Sequence, residues 1–509
     1  MKYKLILTMT LVTALLTGCG GNSTTSDNSL ASDTSQDLTS ETSGSEEVSH
    51  SYVPPVSSTE EVTLDLFALN DLHGSIFYNA EDSPIEYGMY KIASYLREKE
   101  AQNPGGTINM DAGDIWQGSA DSNITNGKVL VEMFNSLNWA ASALGNHEFD
   151  WYDENITENR ELANYPFLGA NIMHKDTGKL ADNIVDGPST MIERNGIKIG
   201  IIGTIGSDLE SSILASAVAD YSFEPVTNYI IEQSNQLRLN GANLIVLLTH
   251  DSLTSYRTSG EYGPVLEPSG GKTPYVDVVF TGHAHTYDRQ MINGVPILQT
   301  NGNSKQLMHV NLTVAPSGIK VNTYTHIDSE LASYPNDPLI TEVYGKYSEQ
   351  ISVVKDEVVG SLTSLMSKSQ ILRLANRAMY ERAKDDFDID VAVHNSGGIR
   401  VDNILAGEVT FGQIYKAVPF DNSVVIVKSV PGNQVRTAIS GNGTYFRPGL
   451  SASTLNDNEM YNIVTINYVS ESSRNTLKNF EQEVIENVFV RDLIADYFRS
   501  NGEVDPYSI

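Results

Sequence analysis

The 509-residue chain has a single cysteine, Cys19. One thiol excludes an intrachain disulfide, so stability must come from core burial and from any bound metal. A closed thiolate zinc site is excluded for the same reason. Positive charge is scarce as well. Lys and Arg number 33 against 64 Asp and Glu, a formal net charge of −31. That balance argues against nucleic-acid polymers as main partners. It also means that an anionic substrate must be met by local positive charge, from metals or from arginines. Long apolar runs are absent too. The longest, residues 5–16, is too short to span a bilayer.

That run reads as an export signal. Lys2 and Lys4 precede it, and Leu16-Thr17-Gly18-Cys19 closes it. A small residue before a cysteine resembles a bacterial lipobox, which implies cleavage before Cys19 and lipidation of its sulfur. The plainer alternative is a signal peptide with an incidental cysteine. Residues 1–18 are therefore expected to be a lipoprotein signal peptide. Residues 19–61 are rich in Ser, Thr, Asp and Glu. They bury too little apolar surface to offset chain entropy, so a disordered acidic tether is expected there. The expected location is outside the cytoplasm, lipid-anchored to the bacterial envelope through Cys19.

About 450 residues remain, too many for one ordinary core, and two domains are expected. In the first, over 62–334, apolar runs at 62–69, 107–110, 140–144, 197–202, 244–248, 276–280, 296–299 and 308–314 read as strands. Segments 87–99 and 129–137 have helical spacing. Strands alternating with helices predict an α/β sandwich. Residues 335–361 read as a linker built on one helix. The second domain, 362–509, opens with a helix over 371–384 and a strand over 390–393, and closes with a helix over 490–500.

Polar motifs follow the strands. Asp71 and His73 follow the first, and Asp114 follows 107–110. Asn146, His147 and Asp150 follow 140–144. His250 follows 244–248, and His283 and His285 follow 276–280. Five of the chain's ten histidines lie in these segments. Taken singly, an Asp-x-His is more often a cap, and Asn146 suits a helix N-cap. Together the segments bring Asp, His and Asn donors to neighbouring strand ends. Such donors suit Mn, Fe, Co or Zn.

On these motifs the chain resembles the exported bacterial 5′-nucleotidases, binuclear metallophosphoesterases. The resemblance implies a metallophosphoesterase αββα sandwich plus a C-terminal α/β substrate-binding domain joined by a linking helix. It implies two divalent cations. One is held by Asp71, His73 and His285, the other by Asn146, His250 and His283, with Asp114 shared. A bridging hydroxide would then attack phosphorus. His147 would face the phosphate as imidazolium, with Asp150 setting its charge. The expected substrate is an extracellular nucleotide or another phosphate ester.

In the second domain, Asn395-Ser396-Gly397-Gly398-Ile399-Arg400 follows a strand. The glycines permit close backbone approach to a ligand, and Arg400 has the fork geometry for a phosphate. The alternative is a tight turn with a surface arginine. The segment resembles the family's Asn-Gly-Gly-Gly-Ile-Arg motif, which implies that Asn395, Gly397, Gly398 and Arg400 meet substrate. By the same resemblance Phe420 and Tyr468 would sandwich a base. After Tyr468 the family's Gly-Gly-Asp-Gly ribose segment is missing, and the chain reads Val469-Ser470-Glu471 instead. This departure keeps 2′,3′-cyclic nucleotides and nucleotide sugars as alternative substrates. A non-enzymatic surface binding lipoprotein is a remote third reading.

Overall fold

Two six-stranded sheets pack face to face in the first lobe. The computed structural model describes residues 51–78, 83–472 and 476–509. Cys19 and the expected signal peptide lie outside the described residues. The first sheet has the order Gly318–Ile327, Leu307–Ala315, Val62–Leu69, Thr107–Asp111, Trp139–Ala143, Phe167–Leu168. The last four strands run parallel. The second sheet has the order Asp288–Ile292, Val295–Gln299, Val278–Thr281, Leu244–His250, Ile197–Ile205, Ser189–Arg194, with its four central strands parallel.

The two-residue period of a strand explains the layering. Leu64, Leu66 and Ala68 meet Leu244, Val246 and Leu248 between the sheets. The alternate residues Phe67 and Leu69 pack outward on helix Gly88–Gln102, and Ile245 and Leu247 pack on helix Val226–Leu239. Each fully buried side chain of this kind stabilises the fold by about 1.5–3 kcal/mol. The result is four layers, helix, sheet, sheet, helix. The carboxyl ends of the parallel strands in both sheets open at one edge, where parallel α/β sheets place their ligands.

The second lobe has a five-stranded sheet in the order Asn442–Phe446, Val391–Asn395, Met460–Ile466, Ser423–Pro431, Gln482–Phe489. Helix Lys368–Phe387 starts at a capping box made by Ser367 and Gln370. It packs beside helix Val490–Asn501 over a single core. Both lobes belong to one compact unit. Among the described residues no helix is long and apolar enough to cross a membrane.

Two expectations change. The linker is two helices, Pro338–Gly345 and Ser348–Lys355, followed by strand Val358–Leu362. The break falls after Gly345, a poor helix former, where Lys346 and Tyr347 both bond Glu132 of the first lobe. Segment 358–362 has β-branched residues that pair with strand Gly407–Thr410 instead of extending the helix. The tether is also shorter on its described side than 19–61. Tyr52 packs edge-on against Tyr275 at 5.5 Å, and Val53 N–H donates to Asn235 Oδ1 at 2.9 Å. An aromatic ring and a backbone bond hold this stretch to the first lobe.

Candidate metal centre

Two clusters of donors converge where the two sheets open. Asp71, His73 and His285 form one, and Asp114, His250 and His283 form the other. Within each, the donor atoms lie within 4.8 Å of one another. Asn146 Oδ1 joins the second, 3.1 Å from His250 Nε2 and 2.9 Å from His283 Nδ1. Asp114 Oδ2 stands between the clusters, 3.2 Å from His250 Nε2 and 3.9 Å from His73 Nε2. All seven side chains expected to hold metal are thus brought together.

The backbone is bent to achieve this. Asp71, His73, Asp114, His283 and His285 have φ of 49°, 48°, 57°, 73° and 50°. Left-handed backbone is uncommon for residues other than glycine, and it gathers at functional sites. Crowding fixes the neighbouring glycine. A Cβ on Gly145 would lie 2.3 Å from Asp114 Oδ1.

Hydrogen bonds orient the rings. His73 Nδ1 donates to the Gln117 carbonyl at 2.8 Å, and His250 Nδ1 to the Ala112 carbonyl at 2.7 Å. Each Nε2 lone pair is thereby turned toward the centre, as metal-ligating histidines require. Asp71 Oδ1 lies 3.1 Å from His285 Nε2 and 3.8 Å from His73 Nε2, buried and with no well-directed hydrogen bond. Such spacing suits atoms that share a cation. Charge makes the same demand. Burial would raise both carboxyls, yet the surrounding imidazoles hold Asp71 and Asp114 below the ordinary range. Burial would lower His250, but Asp114 and Asp71 push it up to about 10. The two carboxylates call for positive charge beside them, and divalent cations answer that call more fully than a proton. The residues present fit two cations.

His147 stands at the rim. Its Nδ1 lies 2.8 Å from Asp150 Oδ2. Burial pushes the imidazole down, but Asp150 and Asp114 outweigh it and raise it above the ordinary histidine value. The second lobe reaches the same place. Arg400 Nη2 donates to His73 Nε2 at 3.1 Å. The Phe420 ring centroid is 5.3 Å from that of His147, with the Arg400 guanidinium 5.8 Å from the Phe420 ring. Asn395, Ser396 and Gly398 form the turn before Arg400, and Gly397 faces the cleft. Tyr468 begins beside Asn467 in the short helix Asn467–Glu471, half-buried against the second lobe's core.

Sequence reading missed the support beneath these groups. Glu148 accepts backbone N–H from Asp114, Ile115 and Gly145, each at 2.8 Å. It thereby ties two ligand-bearing loops together. Burial and the nearby Asp114 carboxylate push it up to about 7. Asn70 donates to Asp71 Oδ2 at 2.6 Å and accepts from Thr300. In the second lobe, His394 is fully buried under the Asn395 turn. Its Nδ1 donates to the Asn395 carbonyl at 2.9 Å, and Gly398 packs on its ring. For Glu148, an acid inside a motif next to a ligand was the available signal. For His394 it was a histidine closing an apolar strand.

A four-layer sandwich with paired His and carboxylate clusters at its strand ends has the architecture of a metallophosphoesterase. Residues 351–452 match the family described as 5′-nucleotidase, C-terminal domain, and this segment is such a domain. The chain is 25% identical to the cell wall protein Lmo0130 of Listeria monocytogenes, over 76% of this chain and 58% of that protein. It therefore spans less than two thirds of that relative's length. It is also 25% identical to the 5′-nucleotidase of Vibrio cholerae, over 79% of this chain and 80% of that one. Among solved structures it superposes on the 5′-nucleotidase precursor of Thermus thermophilus with a TM-score of 0.70 at 19% identity. That match covers 87% of this chain and 97% of the other. The fold is that of the two-domain 5′-nucleotidases.

Proposed function

We propose that this protein is exported and hydrolyses phosphate esters of nucleotides. Its two divalent cations, of Zn, Mn, Fe or Co type, would be held by Asp71, His73 and His285 and by Asn146, His250 and His283, with Asp114 shared. The observation that carries the reading is the meeting of both donor clusters with Arg400 and Phe420 of the other lobe. When bound, the cations supply an activated water and neutralise phosphate oxygens. Everything else falls to side chains. Arg400, which bonds a ligand histidine, is placed to bind the phosphate in its fork. His147, held charged by Asp150, stabilises the leaving oxygen and delivers a proton to it from the imidazole. Phe420, whose ring stands beside His147, would flank a flat base together with Tyr468. Asn395, Gly397, Gly398 and Tyr468 complete the substrate side, and the lipid on Cys19 would hold the enzyme at the membrane.

A second reading concerns the ester. Glu471, in place of the ribose segment, accepts the Ser216 N–H of the first lobe at 3.3 Å. A carboxylate engaged by the first lobe is not free to take ribose hydroxyls, which favours an ester other than a plain nucleoside 5′-monophosphate, such as a 2′,3′-cyclic nucleotide or a nucleotide sugar. Hydrolysis of AMP, a cyclic nucleotide and a nucleotide sugar, run with each metal and followed by identifying the products, tests both readings. Wild-type rates equal to those of His147→Ala on every ester would sink the phosphoesterase reading. A strong preference for AMP would remove the second.

A further inference from the structure

The loop that carries Phe420 is fastened by a buried cation, Arg491. Its guanidinium donates to three successive residues of that loop. Nη1 meets the Pro419 carbonyl at 3.4 Å and the Phe420 carbonyl at 3.2 Å, and Nη2 meets the Asp421 carboxylate. The Tyr415 ring, on helix Phe411–Ala417 leading into the loop, has its centroid 4.2 Å from the guanidinium, and the Phe489 ring 5.1 Å.

Two considerations separate this arrangement from ordinary core packing. Arg491 is the second residue of helix Val490–Asn501. A cation in a first helical turn opposes the helix dipole, so its placement does not serve the helix. A buried ion pair is also no more stabilising than well-packed apolar side chains of the same volume. What only a guanidinium offers is a rigid fork that satisfies two carbonyls and a carboxylate at once. The loop is bonded from the first lobe as well. Asn123 Nδ2 donates to the Pro419 carbonyl at 3.0 Å, and Trp151 Nε1 to Asp421 Oδ2 at 3.2 Å. Trp151 directly follows Asp150, the partner of His147. Asp421 thus joins the arginine of one lobe to the short helix His147–Trp151 of the other.

We propose that Arg491 and Asp421 are positioning residues that hold the Phe420 ring in register with His147, and so set affinity for the base of the substrate and not for its phosphate. The proposal rests on the phosphoesterase reading, in which Phe420 flanks a base. Both residues act through the backbone of the loop.

The test compares esters with and without a base, using the metal-loaded full chain. Arg491→Met keeps the bulk and removes the fork. KM for AMP should rise about tenfold with kcat little changed, while KM for ribose 5-phosphate stays at the wild-type value. Arg491→Lys keeps a charge for Asp421 but lacks the fork, so its KM for AMP should stay raised although its melting temperature recovers. Asp421→Asn, at an exposed position, should raise the same KM about threefold, and it tests the proposal even where the buried variant does not fold. Arg436 supplies the control. It too bonds two carbonyls, of Ala452 and Leu455, and a carboxylate, of Asp457, but at the far end of strand Ser423–Pro431. Arg436→Met should lower the melting temperature and leave both KM values unchanged. Equal rises for AMP and ribose 5-phosphate, an unchanged KM for AMP, or full recovery of KM in Arg491→Lys would each overturn the proposal. If wild type hydrolyses neither ester, the phosphoesterase reading fails, and calorimetric titration with adenosine decides the positioning role. Weaker adenosine binding in Arg491→Met would sustain it, and unchanged or absent binding would overturn it.

Discussion

In the first lobe, five side chains of the metal centre sit on backbone with φ between 48° and 73°, and Glu148 ties the loop of Asp114 to that of Asn146 with three N–H bonds. In the second lobe, the turn that carries Arg400 is a short 3-10 helix, Ser396–Gly398, between extended residues, with Asn395 at φ −70° and Ile399 at −97°. The contrast follows from what each must do. Metal ligands must be fixed to within tenths of an ångström, and strained backbone held by a buried scaffold does that. A substrate clamp meets a ligand that comes and goes, and unstrained backbone suffices for it, with Gly397 and Arg400 reaching the cleft above buried Gly398 and Ile399. The lobes divide the work into a rigid half and an adaptable half.

The largest effect should come from the rigid half. Asp114 stands between both clusters and accepts the His147 N–H at 2.8 Å. Asp114→Asn removes the shared charge. Elemental analysis should then find at least one cation lost, and phosphate release should fall by roughly 10³-fold or more. Full metal content with near wild-type turnover would break the assignment of the first lobe as the metal-holding half. Arg400→Gln probes the other side. It should leave metal content unchanged and lower kcat/KM by roughly tenfold to a hundredfold through loss of a charged hydrogen bond. Loss of a cation in this variant would show that the lobes do not divide the work as described.

The same division explains what could be read from the sequence. The ligands were legible because each follows an apolar run that must be a buried parallel strand, as at Leu244–His250. Strand order was not legible, since antiparallel Leu307–Ala315 returns from far along the chain to pair with Val62–Leu69. Glu148 was overlooked because its three partners are backbone N–H groups, which no side-chain pattern announces. The linker misled because helical spacing continues through residues 346–347, where bonds to Glu132 override it. Lys305, Lys355, Lys368, Arg400 and Lys416, which line the cleft beside His73 and His285, come from separate segments, so only the folded chain collects them.

A smaller effect should mark the adaptable half from beneath. His394→Phe keeps the ring that supports Gly398 but removes the N–H that satisfies the Asn395 carbonyl. An unpaired buried carbonyl costs about 1–3 kcal/mol, and here it loosens the turn before Arg400. KM should rise several-fold with kcat little changed, and His394→Asn, which retains a donor, should restore KM. A fall in kcat with KM constant would make His394 part of the chemistry and would blur the contrast between clamp and centre.

The smallest effect concerns the strand that delivers Asp71 and His73. Asp65, on the same strand, lies 2.8 Å from His309 Nε2 and also accepts from Asn311 and Asn103. Burial alone would raise this carboxyl, but these partners outweigh burial and lower it from 3.8 to about 2. A folded pKa below the unfolded one means that the unfolded chain binds the proton more readily. The stabilisation from Asp65 is therefore complete above about pH 4 and is lost as pH falls through about 2. In Asp65→Asn that contribution is absent at every pH. The melting temperature of wild type should exceed that of the variant at pH 5, and the gap should close as pH approaches 2. A gap that stays constant would mean that Asp65 acts by shape and hydrogen-bond geometry, not by charge. In that case the rigidity of the first lobe's frame would owe nothing to the ionisation of this carboxylate.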